Sequence, residues 1–565
     1  MTAVSEATGK PDVSAGRLGS ARTATALLWG SLAAGAILRL ARWIHWRALW
    51  LDEIYLANSL RNRSLHDLLF KPLDDWQAAP PGFLVLVHSA VRALGTGERP
   101  LRLVSLAFGL ASLPLMLAVA RRALGAGGAV LAMASFSFLG PLIYYGNELK
   151  PYSCDVAISL AVTLATLRWM DRPSFRRSAI AAAVGATGIF FSYPAVFVLA
   201  GAGIWMLWNH RRSSDLGSGG TTLGAEHSPL PWYSGGGMGW GIRLLGGKTP
   251  TLALPRSTRG GKERGFALAI CLVWGVVFAT DYLIFLRPLT HGEAHPHLVQ
   301  YWAAQDAFMP RSPFDAGSWM IRCLTSIARS PGAMWLDYPD AALIGLIVGI
   351  AVALRNRGNL LLVLAPLPLV LAASASRQYP FADRLALFFV PQYLLLLAAA
   401  TESLWTNLAG KTAAIAIAAL VAIPSASRAV GFLFSPPGRE ESLPAYRWVA
   451  QQWQPGDVVY LTHFAEPSFR YYQSLVHWPS DLESSKALYV QPSITEPRQI
   501  LDDVKPLAGR HRIWLILIHA EGGELDVHQF TVAAFNDIGH PVREHDEPGA
   551  CACLYDCSAL EDARR

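Results

Sequence analysis

Charge is what this sequence has least of. Only 16% of its 565 residues are Asp, Glu, Lys or Arg, against about a quarter in ordinary globular proteins. With 52% apolar residues and a mean hydropathy of +0.30, that shortage excludes intrinsic disorder and a soluble enzyme. Cysteine is scarce as well, and six of them in a chain this long exclude a secreted disulfide scaffold. Cys154, Cys271 and Cys323 are scattered singly and read as small apolar side chains. Cys551, Cys553 and Cys557 crowd together, yet no matching Cys or His pair stands elsewhere to complete a zinc spacing. A disulfide among them is open if that end lies outside the cytoplasm. The net charge of +7 does not imply nucleic acid, because the Lys and Arg residues cluster beside apolar spans, where they set topology.

What the sequence does have is a long series of apolar runs of spanning length. Thr23 to Ile44 is the first, too long for a signal-peptide core and without a small-residue cleavage site after it. Lys10, Arg17 and Arg22 precede it and favour a cytoplasmic N-terminus. Pro81 to Leu94 reaches only about 21 Å as a helix, short of a ~30 Å hydrocarbon core. It is therefore read as an interfacial or re-entrant piece of one external loop, 45–100. That parity gathers Arg121/Arg122, Arg168/Arg172/Arg176/Arg177, Arg211/Arg212 and Arg355/Arg357 on one side, while Arg99 and Arg102 stay awkwardly outside.

The expected architecture is a mainly α membrane protein, a polytopic bundle of about eleven spans with a small C-terminal α/β domain outside the cell membrane. Its parts are a loose cytoplasmic N-terminus (1–22), an N-terminal transmembrane module (23–210), a Gly-rich cytoplasmic linker (211–263), a C-terminal transmembrane region (264–430) with an external loop at 287–338, and the extracytoplasmic domain (431–565). Val458 to Leu461 and Ile513 to Ile518 read as buried strands of that domain. No phosphate-binding Gly-rich loop follows the first of them.

Ionisable residues in apolar external turns are costly and call for a reason. Three places qualify. Trp50-Leu51-Asp52-Glu53 puts two adjacent carboxylates in an apolar setting, where they are expected to raise one pKa toward that of a general base; the plainer alternative is helix-start charge. Tyr144 to Ser153 presents Glu148, Lys150 and Tyr152 in one turn, the last two able to donate to a phosphate, or else a simple interface anchor. Ser376 to Arg384 carries Arg377, Asp383 and Arg384, where Arg384 needs either a lipid phosphate or Asp383 as its partner. Together these offer a base for an acceptor hydroxyl and positive charge for a departing phosphate.

With these residues in place, the chain resembles the GT-C superfamily of polyprenyl-phosphate-sugar-dependent glycosyltransferases, in the branch of the protein O-mannosyltransferases and lipid A aminoarabinose transferases. The resemblance lies in Trp50-Leu51-Asp52-Glu53, Pro80 to Phe83, Gly95 to Ser105 and Tyr144 to Tyr152. It implies that Asp52 is the catalytic base supported by Glu53, that Glu148, Lys150 and Tyr152 line a second catalytic turn, and that Arg384, with Arg377, binds donor phosphate. It also implies a polyprenyl-phosphate sugar as donor, an extracytoplasmic lipid, glycan or protein as acceptor, and no nucleic acid. Where related enzymes carry a charged residue before the first-loop Pro, this chain has Gln77-Ala78-Ala79, so no metal is assigned. The rival readings are a transporter or lipid-glycan flippase, and a non-catalytic scaffold of the same fold.

Overall fold

The computed structural model describes residues 13–45, 47–218, 257–292, 294–356, 358–435, 438–478, 488–491, 497–519 and 527–558. Most of the expected linker, at 219–256, lies outside these residues, as does the start of the N-terminal segment. The linker's expected ends are helical instead: the helices Ala195–Ser218 and Ser257–Asp281 run on into it.

The chain is a multi-pass membrane protein. Among the described residues seven helices are long and apolar enough to cross a bilayer: Arg22–Ile44, Glu98–Ala123, Tyr152–Asp171, Lys262–His291, Pro339–Asn356, Asp383–Ser403 and Leu408–Phe434. Shorter apolar helices include Ala126–Phe138, Ala195–Asn209 and Asn359–Ala375. Proline explains some of the shortness. The apolar run ending at Tyr145 breaks at Leu139, ahead of Gly140-Pro141, and the run from Asn359 divides at Pro366. One large apolar core joins the bundle, and the span from Asp383 lies deepest, with 89% of its apolar window buried.

Between the first two long helices the chain folds into short elements at one end of the bundle. The helix Leu51–Asn62 opens with Asp52 and Glu53, acids that favour a helix N-terminus. Ser64 caps Leu65–Phe70 by accepting from the Asp67 N–H at 3.1 Å. The helix Pro81–Leu94 starts on proline and stops at Gly95, whose φ of 93° suits glycine at a helix end. Its buried residues Phe83, Leu84, Val87 and Val91 join a core shared with Leu51–Asn62 and the C-terminal sheet.

That sheet has five strands: β1 (Val458–Leu461), β2 (Leu488–Val490), β3 (Ile513–Ile518), β4 (His540–Glu547) and β5 (Ala550–Asp556). Their order is β2-β1-β3-β5-β4. β1 is parallel to β2 and β3, while β5 runs antiparallel to β3 and β4. The two strands expected from sequence are its fully buried centre. One face meets the first loop through Trp514, Ile516, Ala552 and Leu554. Polar ties reinforce the joint: the Ala48 N–H donates to Glu441 at 3.0 Å, the Leu49 N–H to the Tyr472 hydroxyl at 2.7 Å and the Leu51 N–H to Glu440 at 2.7 Å. The sheet is thereby a fixed wall of the first loop.

Candidate active site

The site grows from the start of the Leu51–Asn62 helix. Neighbours on a helix point about 100° apart, and here the two acids part company. Glu53 turns inward and is fully buried, with Arg102 gripping it at 2.8 Å and 2.5 Å. The same carboxylate accepts the Leu149 N–H at 2.7 Å and the Trp50 N–H at 3.4 Å. Arg102 also donates to the carbonyls of Arg47, 3.1 Å, and Ala48, 2.9 Å. Glu53 therefore staples three segments, residues 47–53, Arg102 and the 146–150 turn. Arg102, awkward when read from sequence, is the partner it requires.

Asp52 turns the other way and stays partly open, its carboxylate 3.2 Å from Arg384. Burial pushes this carboxyl's pKa up, but Lys150, Arg384, Arg439 and His519 outweigh that and hold it below the usual carboxylate range. For Glu53, burial likewise acts upward and Arg102 and Arg47 prevail downward. The expectation that the two acids raise one another's pKa is thus overturned. Each has its own cations, and those cations dominate.

The raised acid is Glu148. It is fully buried, neither oxygen has a hydrogen-bond partner, and burial together with Glu53 lifts it to about 7 against the pull of Arg47, Arg439 and Arg384. Its turn is held by Glu53 through Leu149 and by Arg47, which donates to the Asn147 carbonyl at 2.7 Å. Lys150 is buried beside Asp52 and donates to the Gln77 side-chain carbonyl; burial draws its pKa down, against the opposing effect of Asp52. Gln77, which fills the position where a charged residue is missing, thus supplies a neutral acceptor.

Arg384 sits at the start of the deepest span, its guanidinium 5.8 Å from the Trp50 ring and 5.7 Å from the Trp302 ring. Asp383 is 3.9 Å away and is itself tied to the Ser330 hydroxyl. Tyr152 faces Arg384 as an electrostatic neighbour. Trp302 brings the 287–338 segment to the same place, within the helix Ala294–Ala304. Asp52, Glu148, Lys150, Tyr152 and Arg384 are therefore gathered in one cluster. Arg377 is exposed at a φ of 58° and joins none of its ion pairs or hydrogen bonds.

One cation comes from a segment that sequence reasoning passed over. Arg439, just ahead of the C-terminal sheet, lies 3.7 Å from the Trp50 ring centre and faces both Asp52 and Glu148. Next to it Glu440 bonds His519 at 2.5 Å while holding the Leu51 N–H. No spacing in the sequence marks Arg439, because its relation to Asp52 exists only once the sheet is docked.

Residues 78–225 match the family described as dolichyl-phosphate-mannose-protein mannosyltransferase. That stretch holds the Pro80 to Phe83, Gly95 to Ser105 and Tyr144 to Tyr152 motifs, and over it the match bears out the resemblance read from them. Among solved structures, similar ones are the apo oligosaccharyltransferase of Archaeoglobus fulgidus, at 12% identity over 95% of this chain and 74% of that one with a TM-score of 0.45, and ArnT of Cupriavidus metallidurans bound to undecaprenyl phosphate, at 11% identity over 96% and 98% with a TM-score of 0.45. No curated protein matches the sequence.

Proposed function

We propose that this protein transfers a monosaccharide from a polyprenyl-phosphate carrier to a hydroxyl group of an acceptor on the outer side of the cell membrane. The observation that carries the reading is one partly open carboxylate, Asp52, set among Arg384, Lys150 and Arg439 at the end of a membrane bundle. An acid inside a ring of cations suits a reaction that removes a proton at one atom while a phosphate leaves from another.

The step is a single displacement. Asp52 accepts the proton of the acceptor hydroxyl, whose oxygen bonds to the anomeric carbon. The bond from that carbon to the phosphate oxygen breaks, and the carrier phosphate leaves with the electron pair. Arg384 is shared in this scheme. Against Asp52 it keeps the carboxylate a weak base, and a donor phosphate competes for the same guanidinium. Drawing Arg384 toward phosphate restores basicity to Asp52 at the moment when a donor is present. Tyr152 and Lys150 are placed to hold the phosphate, and Trp50 and Trp302 bound the space around it.

The test is incubation of the purified protein with a panel of polyprenyl-phosphate monosaccharides, scoring free carrier phosphate. Release by wild type and its loss in Asp52→Asn, with equal expression, supports the reading. Silence across the panel from folded protein overturns it in favour of transport or a scaffold role.

A further inference from the structure

The β4–β5 hairpin carries a cluster that glycosyl transfer does not use. β5 places Cys551 and Cys553 two residues apart, hence on one face of the strand. Across the antiparallel ladder, Glu544 stands directly opposite Cys553 and Asp546 opposite Cys551. The four side chains thus form two facing pairs on the same side of the sheet. Sγ of Cys551 is 3.2 Å from Sγ of Cys553 and 3.7 Å from the Glu544 carboxylate, and Asp546 stands in register beside Cys551. The ligand atoms of Cys551, Cys553 and Glu544 all lie within 4.8 Å of one another.

We infer that Cys551, Cys553, Glu544 and Asp546 form a binding site for one thiophilic divalent cation of the zinc class. Two sulfurs and two carboxylate oxygens are a donor set that Zn²⁺ accepts in tetrahedral geometry, with Zn–S distances of about 2.3 Å. A cation also answers the local electrostatics, since four groups that are anionic when deprotonated converge there. A Cys551–Cys553 disulfide is the poorer alternative. Residues i and i+2 of a strand lie about 6.8 Å apart at Cα, the upper limit for such a bridge, and both cysteines are fixed in register with Leu515 and Leu517 of β3.

The hairpin's turn leads back to the candidate active site. The Pro548 carbonyl accepts the Glu441 N–H at 2.8 Å, and the Gly549 carbonyl accepts the His519 N–H at 3.1 Å. Gly549 has a φ of 66°, and a Cβ there would collide with the Arg439 carbonyl. A cation clamping β4 to β5 therefore braces the turn on which Arg439, Glu440 and His519 rest. The site itself stands apart from the glycosyltransferase reading, because its test measures bound metal and not transfer.

The experiment is titration of the full-length, reduced protein in detergent with Co²⁺ after metal stripping. One equivalent should give thiolate-to-cobalt charge-transfer absorption, which Zn²⁺ should bleach. Cys551→Ser/Cys553→Ser should lose the signal, while Glu544→Gln and Asp546→Asn, which keep both thiols, should each weaken binding at least tenfold. Three results would overturn the inference: no charge-transfer band in wild type, carboxylate variants that bind Co²⁺ unchanged, or an unreduced protein whose mass and peptide map show a Cys551–Cys553 bridge.

Discussion

Two turns at the same end of the bundle handle buried acid in opposite ways. At the start of the Leu51–Asn62 helix, Glu53 is saturated by Arg102 and two N–H groups, and Asp52 faces a cation in an open position. In the 146–150 turn, Glu148 is as deeply buried as Glu53 but has no hydrogen-bond donor at all. Adjacent cations and donors, more than depth, decide which acid stays ionised. The first turn keeps its charge available at neutral pH, and the second keeps a proton that leaves near pH 7.

The sharpest way to break this comparison is to neutralise each acid in turn. Asp52→Asn is expected to cut turnover by about 10³-fold or more, in the range of lost general-base catalysis, with little change in melting temperature. A loss under tenfold would move the base elsewhere. Arg384→Ala is next, expected to lower turnover about 10²-fold through lost phosphate stabilisation, with Arg384→Lys recovering part of it.

Stability separates the other members. Arg102→Met leaves Glu53 charged and buried, and breaking one partner of such a pair costs about 3–5 kcal/mol. The variant should melt well below wild type, and Glu53→Gln in the same chain should restore part of the loss. A Glu53/Arg102 pair that proves dispensable in melting experiments would remove the staple from the scheme.

The smallest effect is the most diagnostic for Glu148. Its folded pKa, about 7, lies above the ordinary 4.5, so its contribution to stability is full below pH 4.5 and is lost as pH rises through 7. Glu148→Gln has no proton to lose. Relative to wild type it should therefore gain up to about 3 kcal/mol between pH 5 and pH 8. A difference in melting temperature that stays flat with pH would show Glu148 ionised and paired throughout.

Much of this was legible in the sequence, and the limits have physical causes. Apolar runs and basic clusters announce a membrane bundle because the bilayer imposes length and charge placement locally. Val458 to Leu461 and Ile513 to Ile518 were readable as strands because both are apolar throughout and bounded by turn formers. Asp52, Glu148, Lys150 and Arg384 stood out because charge is expensive where they lie. The division of labour between Asp52 and Glu53 was read as what the resemblance implies, but its cause was hidden, since Glu53 is held by Arg102 arriving from another segment. Arg439 and the Glu544–Asp546 carboxylates were hidden for the same reason: docking and strand register create their relations, which no spacing records. The cysteine pattern looked incomplete as a zinc motif because its remaining ligands lie across a ladder.

The staple at Glu53 has a consequence for biosynthesis. Its three contributors are separated by a loop of short helices between Glu53 and Arg102 and by the rest of the Glu98–Ala123 span and the helix Ala126–Phe138 between Arg102 and Leu149, and Arg439 follows the last long apolar helix. A chain emerging from the ribosome therefore cannot close this pocket early. Under the proposed function, carrier lipid would meet a finished catalyst only after the final helix has been integrated and the sheet beyond it has folded back onto residues made hundreds of codons before.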